Sequence, residues 1–212
     1  MTKANTALTK VLFLDLDGTV RRPKSGSLFI KDPLDQELIP GAKEAIATHQ
    51  CLIVGITNQG EVEAGYKSLE DCIKEQRRTL KIIPEMESIY FCPDFEGRFC
   101  WEINRYYFHG KRQIRSFAWE ESMAGFDDCF KIFANPGEER LNFRMPSPGI
   151  ISYAYSSLET VRGGRYNLAP LENCLMVGDR LEGKQAAQSL GVPFMEAEKW
   201  RNEACKRAYA DD

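Results

Sequence analysis

Apolar residues cluster in short unbroken runs along this chain, at 10–16, 51–57, 88–92 and 173–177, with a shorter stretch at 193–196. Runs of that length predict strands buried on both faces, the pattern of a parallel sheet. Between them, 41–49 and 68–83 space their apolar residues for helices. The segment 148–160 follows Ser147 and opens on Pro148, a favoured helix start; 184–190 has helical spacing, and 198–210 predicts a surface helix. Strands alternating with helices predict an α/β fold, a doubly wound parallel sheet, in one domain over 1–212. The segment from about 93 to 143 interrupts the alternation and reads as an insertion.

The first run ends on chemistry. Val11-Leu12-Phe13-Leu14-Asp15-Leu16-Asp17-Gly18-Thr19-Val20 carries two carboxylates two positions apart. Residues i and i+2 of an extended backbone point to one side, so Asp15 and Asp17 converge where the strand leaves the sheet. Open parallel sheets bind their ligands at that end. Two acids held together repel unless a cation sits between them or one keeps a proton. An Asp-rich turn capping a helix is the plainer alternative, but a cap needs only one Asp. The second run ends in Thr57-Asn58-Gln59-Gly60. A hydroxyl, an amide and the backbone N–H groups of a Gly-containing turn are the donors a transferring phosphoryl group needs.

Asp15-Leu16-Asp17-Gly18-Thr19 resembles the opening DxDGT motif of the haloacid-dehalogenase-like phosphatases. Thr57-Asn58-Gln59-Gly60-Glu61-Val62-Glu63-Ala64-Gly65 is similar to the TNQ-G-x-x-x-G signature of one branch. That branch holds histidinol-phosphate phosphatase, the heptose bisphosphate phosphatases and the 3′-phosphatase domain of polynucleotide kinase. Gly178-Asp179-Arg180-Leu181-Glu182-Gly183 is close to the family's Gly-Asp-x-x-Glu-Asp, with Gly183 where the last Asp is usual. The resemblance implies a Rossmann-like sheet, Asp15 as nucleophile and Asp17 as general acid/base. It also implies Thr57 and Asn58 as phosphate ligands, and Mg²⁺ held by Asp15, Asp179 and the Asp17 main-chain carbonyl. Asp179 also suits an N-cap of the following helix, and the two roles are compatible.

The third motif departs from the pattern. Relatives read Arg-Lys-Pro-x-Pro-Gly-Met, whose Lys neutralises nucleophile and phosphate; this chain reads Arg144-Met145-Pro146-Ser147-Pro148-Gly149-Ile150. A thioether cannot replace a cation, so the charge falls to Arg144 as a phosphate ligand, to a cation from elsewhere such as Arg140, or to metal alone.

The insertion is rich in aromatics, among them Phe95, Phe99, Trp101, Tyr106 and Trp119, interleaved with Arg98, Arg105 and Arg112. Packing as a small lid with its own satellite core is the expectation, with a substrate platform as the functional reading. Acids such as Glu102, Glu120 and Asp127 weaken the case for a nucleic-acid surface. The heptose phosphatase relatives hold a zinc loop there; the corresponding ligand set is not intact. Cys92, Cys100 and His109 fit no standard zinc spacing, so zinc is not expected.

Composition adds limits. Of 212 residues, 43% are hydrophobic and 28% charged, globular values, and the net charge of −3 gives no support to a general nucleic-acid or membrane-surface binder. No apolar run reaches the roughly 20 residues of a membrane span, and the first residues lack the apolar core of a secretory signal, so a cytoplasmic location is expected. The cysteine count is odd, at 7, and the positions are scattered, implying no disulfide framework. The leading expectation is a phosphomonoesterase acting on a small phosphorylated metabolite such as a sugar phosphate. A polynucleotide 3′ end is the alternative substrate, and a non-catalytic phosphate binder, suggested by Met145, is a third reading.

Overall fold

The computed structural model describes residues 8–108, 111–115, 129–133, 142–160 and 166–208. Five strands form the parallel part of the sheet: β1 (Val11–Asp15), β4 (Leu52–Asn58), β5 (Met86–Cys92), β9 (Leu175–Gly178) and β10 (Phe194–Glu196). Their order is β10-β9-β1-β4-β5. The chain builds outward from β1 to β4 and β5, then returns to place β9 on the other side of β1. The C-terminal end of β1 is therefore the switch point of the sheet, where open α/β folds form a crevice.

All five β1 residues are buried. Alternation sends Leu12 and Leu14 to one face and Val11 and Phe13 to the other. On the first face Leu12 and Leu14 join α1 (Ala42–Ala47), α2 (Leu69–Ile82) and α5 (Ala197–Ala208), through Ile46, Ile73, Leu80 and Trp200. On the second, α3 (Gly149–Thr160) and α4 (Leu181–Ser189) bring Ile150, Ile151, Ala154 and Ala186. A sheet covered on both faces is why the strands read as continuous apolar runs. Each predicted strand and helix has a counterpart, with ends shifted by a few residues. Among the described residues no helix is long and apolar enough to cross a membrane.

The described part of the insertion does not stand apart as a lid. It extends the sheet through β6 (Phe99–Phe108), antiparallel to β5. On the far edge of β6, β7 (Lys111–Arg115) and β8 (Cys129–Phe133) pair with its two halves. Hydrophobicity alone did not separate lid from strand because β6 mixes Cys100 and Ile103 with Glu102 and Asn104. Cys92 and Cys100 are core side chains of the second face; His109, Glu120, Asp127 and Arg140 lie outside the described residues. A two-stranded ribbon, β2 (Arg21–Arg22) against β3 (Glu37–Leu38), carries a loop at 23–36 beside the end of β1.

Candidate active site

Asp15 is the last residue of β1, 6% exposed, and one carboxylate oxygen accepts from the Leu16 N–H at 2.9 Å. The chain then makes a tight turn in which the Leu16 carbonyl accepts from Thr19, Val20 and Arg21 N–H groups. Arg201 on α5 fixes this turn from outside, donating to the carbonyls of Gly18 (3.3 Å) and Thr19 (2.6 Å). Asp179 follows β9. Its carboxylate lies against Gly18 and accepts from the Thr19 hydroxyl at 3.5 Å. The N-cap of α4 is Arg180, not Asp179, and no side chain caps it. Burial, then the charges of Asp179 and Asp17, push the Asp15 carboxyl well above the usual Asp value. Asp15 and Asp179 are thus brought together as expected, with a deficit of positive charge between them.

Asp17 has a different environment. Arg21 donates to it through Nε at 2.9 Å and Nη2 at 3.3 Å, Thr57 through its hydroxyl at 3.2 Å and Gln59 through its amide at 2.7 Å. Burial alone raises its pKa, but Arg21, Lys67 and the Thr57 hydroxyl outweigh burial and hold it below the usual value. Asp17 is therefore a donor-saturated carboxylate. Arg21 is fully buried and also bonds Glu75 at 2.5 Å and the Thr79 hydroxyl. Lys67 meets Glu75 at 2.6 Å and Gln59 at 2.8 Å. Two acids and two bases, Asp17, Glu75, Arg21 and Lys67, balance in charge and position the Asp17 carboxylate. Arg21, Gln59, Lys67 and Glu75 were not assigned roles from sequence; they lie on β2, the connection from β4 to α2, and α2, and no local pattern marks their convergence.

The remaining predicted residues divide. The Thr57 hydroxyl reaches the site, though bonded to Asp17. Asn58 turns its amide to the neighbouring loop: Nδ2 donates to the Met145 carbonyl at 3.0 Å and Oδ1 accepts from the Met145 N–H at 3.1 Å. It clamps β4 to the 142–146 turn. Met145 is 4% exposed and packs in the second core cluster, so its thioether fills space. Arg144 lies beside it, stacked 5.2 Å from the Phe95 ring centroid and donating to the Asp94 carbonyl at 3.5 Å.

These groups surround a cavity of about 710 Å³, floored by Asp15, Asp17, Thr57 and Asn58 and flanked by Arg144 and Arg180. Arg180, unassigned in the sequence reading, is a cation whose charge lowers the proton affinity of Asp15, though by less than burial and the neighbouring acids raise it.

No protein-family model matches this sequence, and no curated protein matches it. Solved structures do. One is the D,D-heptose 1,7-bisphosphate phosphatase of B. bronchiseptica, complexed with magnesium and phosphate: TM-score 0.55, 18% identity, 88% of this chain and 79% of that one. A second is a Mesorhizobium loti protein described as a HAD-like phosphatase: TM-score 0.51, 22% identity, 87% and 70% coverage. The chain has a haloacid-dehalogenase-like fold.

In this haloacid-dehalogenase-like fold, the carboxylate pair Asp15 and Asp179 fits a hard divalent cation, because all its donors are oxygens and burial, then the Asp179 charge, leave Asp15 short of positive charge. Among the described residues no three His, Cys, Asp or Glu side chains gather as a metal set. The Asp17 side chain is committed to Arg21, Thr57 and Gln59, leaving only its main-chain carbonyl for a metal role. Mg²⁺, which keeps several water ligands, suits so sparse a set.

Gly18 keeps room for Asp179. Its φ is +82°, and a Cβ there would lie 2.1 Å from the Asp179 Oδ2. Gly18→Ala is expected to displace that carboxylate and to cost about 1–2 kcal/mol from the left-handed backbone alone. Thermal melts should show a lower Tm and a smaller rise on adding Mg²⁺; an unchanged Mg²⁺ response would remove Asp179 from the metal set.

Proposed function

We propose that this protein is a Mg²⁺-dependent phosphomonoester hydrolase that works through an aspartyl-phosphate on Asp15, with a small phosphorylated metabolite as substrate. The reading rests chiefly on one observation: Asp15 and Asp179 converge at the sheet's switch point without enough positive charge, beside the Thr57 hydroxyl and the Arg180 side chain. The fold shared with the magnesium- and phosphate-bound heptose bisphosphate phosphatase supports it.

An Asp15 carboxylate oxygen attacks phosphorus in line, and the bond from phosphorus to the leaving oxygen breaks. Mg²⁺, when bound, offsets the negative charge of nucleophile and phosphate. The leaving alkoxide takes a proton from Asp17, and water deprotonated by Asp17 then attacks phosphorus, releasing inorganic phosphate and restoring Asp15. Asp17 starts as a carboxylate with four donors, ready for the second step. For the first it must be protonated, and a phosphoryl oxygen that takes over the Thr57 hydroxyl removes one donor and raises its proton affinity.

Arg180 and Arg144 supply the fixed cationic charge that Met145 does not. Losing a hydrogen bond to a charged group is worth about 1.5–3 kcal/mol, so Arg180→Ala should slow turnover by about 10- to 100-fold. Arg144→Ala should act mainly on phosphate binding. Steady-state kinetics with inorganic phosphate as competitor would check both, and a wild-type rate in Arg180→Ala would assign the role elsewhere. The primary test is phosphate release with Mg²⁺ and with chelator, across sugar phosphates, nucleotides and a 3′-phosphorylated oligonucleotide. Release that is Mg²⁺-dependent is expected; none from any substrate would overturn the hydrolase.

A further inference from the structure

The cavity is far larger than a phosphate group, and its lining includes Leu28, Phe29, Tyr66 and Phe95 as well as the acids. Among the described residues Leu28, Tyr66 and Phe95 are 98%, 64% and 54% exposed, and all three line this cavity. Large apolar groups gathered around one opening mark a binding surface more than chance scatter does. The rings are arranged as well as exposed. Phe29 sits 5.5 Å from Tyr66 with the planes tilted by 30°. Phe95 lies directly over Gly60, where a Cβ would come within 2.7 Å of its Cε1, and carries the Arg144 guanidinium near its face. The backbone N–H of Phe95 is held by the Glu63 carboxylate, so the segment bearing this ring is anchored to the 60–67 turn that also carries Tyr66.

The loop bearing Leu28 and Phe29 is built too. Asp35 accepts from the Ser25 N–H at 2.8 Å and its hydroxyl at 2.5 Å. Gln36 ties the loop's base to α2, donating to the Glu75 carbonyl at 3.1 Å and accepting from the Thr79 hydroxyl at 2.8 Å. Some polar groups of the lining are already engaged: Arg22 pairs with Glu37 at 2.8 Å, and the Ser25 and Ser27 hydroxyls lie 2.9 Å apart. A flat unsaturated ring would find aromatic faces here.

We propose that Phe29, Tyr66 and Phe95 form a ring subsite, so that the substrate is a phosphate ester whose leaving group carries a flat unsaturated ring, as a nucleoside does. This inference rests on the hydrolase reading for the place of the phosphate. Stacking on a protein aromatic contributes about 1–3 kcal/mol per base, equivalent to roughly 5- to 150-fold in affinity.

Adenosine 5′-monophosphate and ribose 5-phosphate differ only in the base, and they make the test. Calorimetric titration of Asp15→Asn with Mg²⁺ is expected to show the nucleotide bound at least about tenfold more tightly. Tyr66→Leu, which keeps apolar bulk but removes the ring, should weaken nucleotide binding by about fivefold or more and leave ribose 5-phosphate unchanged; Phe95→Leu, whose ring also carries Arg144, should weaken the nucleotide more than ribose 5-phosphate. Pyridoxal 5′-phosphate forms the second arm: binding as tight as the nucleotide's would extend the subsite to other heteroaromatic rings, and weaker binding would restrict it to nucleobases. Equal affinity for the first pair, no binding of either, or leucine variants without effect would overturn the proposal. Turnover is not needed for this readout. A ring preference without hydrolysis would sink only the hydrolase, and hydrolysis without a preference only the ring subsite.

Discussion

Asp15→Asn is expected to abolish the proposed phosphate release and at the same time to make the metal-free protein more stable. The loss of activity should be on the order of 10⁴-fold or more, the scale seen when a nucleophile is removed. The gain in stability follows from the electrostatics. Asp15 is buried and faces Asp179 and Asp17, and its pKa is raised above the unfolded value. An acid whose folded pKa is raised has its full stability only below its unfolded pKa; that stability is lost as pH rises through the folded value. At neutral pH, above the ordinary Asp value, that lost stability is a cost that the amide lacks. For a chain of this length each kcal/mol of relieved repulsion raises Tm by about 2–4 °C. The advantage of Asp15→Asn should shrink as pH falls toward the ordinary Asp value, and Mg²⁺ should raise the wild-type Tm more than the variant's. Melts of both proteins from pH 4 to 8, with and without Mg²⁺, would measure it. A variant no more stable than wild type at pH 7 would mean that burial and the Asp179 charge do not act on Asp15 as described.

Arg21→Met is expected to be the most damaging change away from the reacting atoms. Arg21 and Glu75 are 0% and 1% exposed, and Arg21 also orients Asp17. Breaking a buried ion pair by removing one partner costs about 3–5 kcal/mol, because the other charge stays buried. The expected fall in Tm is about 6–20 °C. Activity should fall as well, since Asp17 loses two of its four hydrogen bonds. Glu75→Gln keeps an acceptor for Arg21 and Lys67 and should cost less. The double variant Arg21→Met with Glu75→Leu should recover part of the loss, because the stranded carboxylate is gone. Denaturant melts of the three variants form the test. Additive losses would show that the two residues do not act as a pair.

The residues that were legible in advance share one property: each sits at the end of an apolar run. Asp15 ends β1, Thr57 lies at the end of β4 and Asp179 follows β9. Parallel strands align their C-terminal ends, so residues far apart in sequence meet without any side-chain detail being known. Asn58 occupies an equally legible position, yet the structure turns its amide to the Met145 main chain. Strand position predicts where a residue is and not which partner its side chain takes. Arg180 was overlooked because a cation next to a metal-site acid reads as ordinary surface charge; only its reach to Asp15 distinguishes it.

The chain's sequence by itself determined the buried parallel sheet, through apolar runs too continuous for a one-sided strand. It also determined the acid-bearing turn at the sheet's switch point and a methionine at 145 where the motif it resembles has a lysine. Tertiary structure alone decided the ionisation of the two neighbouring acids. Asp15 and Asp17 are two residues apart and chemically identical, yet one faces Asp179 and is driven toward protonation, while the other faces Arg21 and is held ionised. Coulomb interactions depend on separation in space and on the water excluded between charges, and both are set by the packing of β1, the 60–67 turn, α2 and α4 rather than by neighbours in sequence.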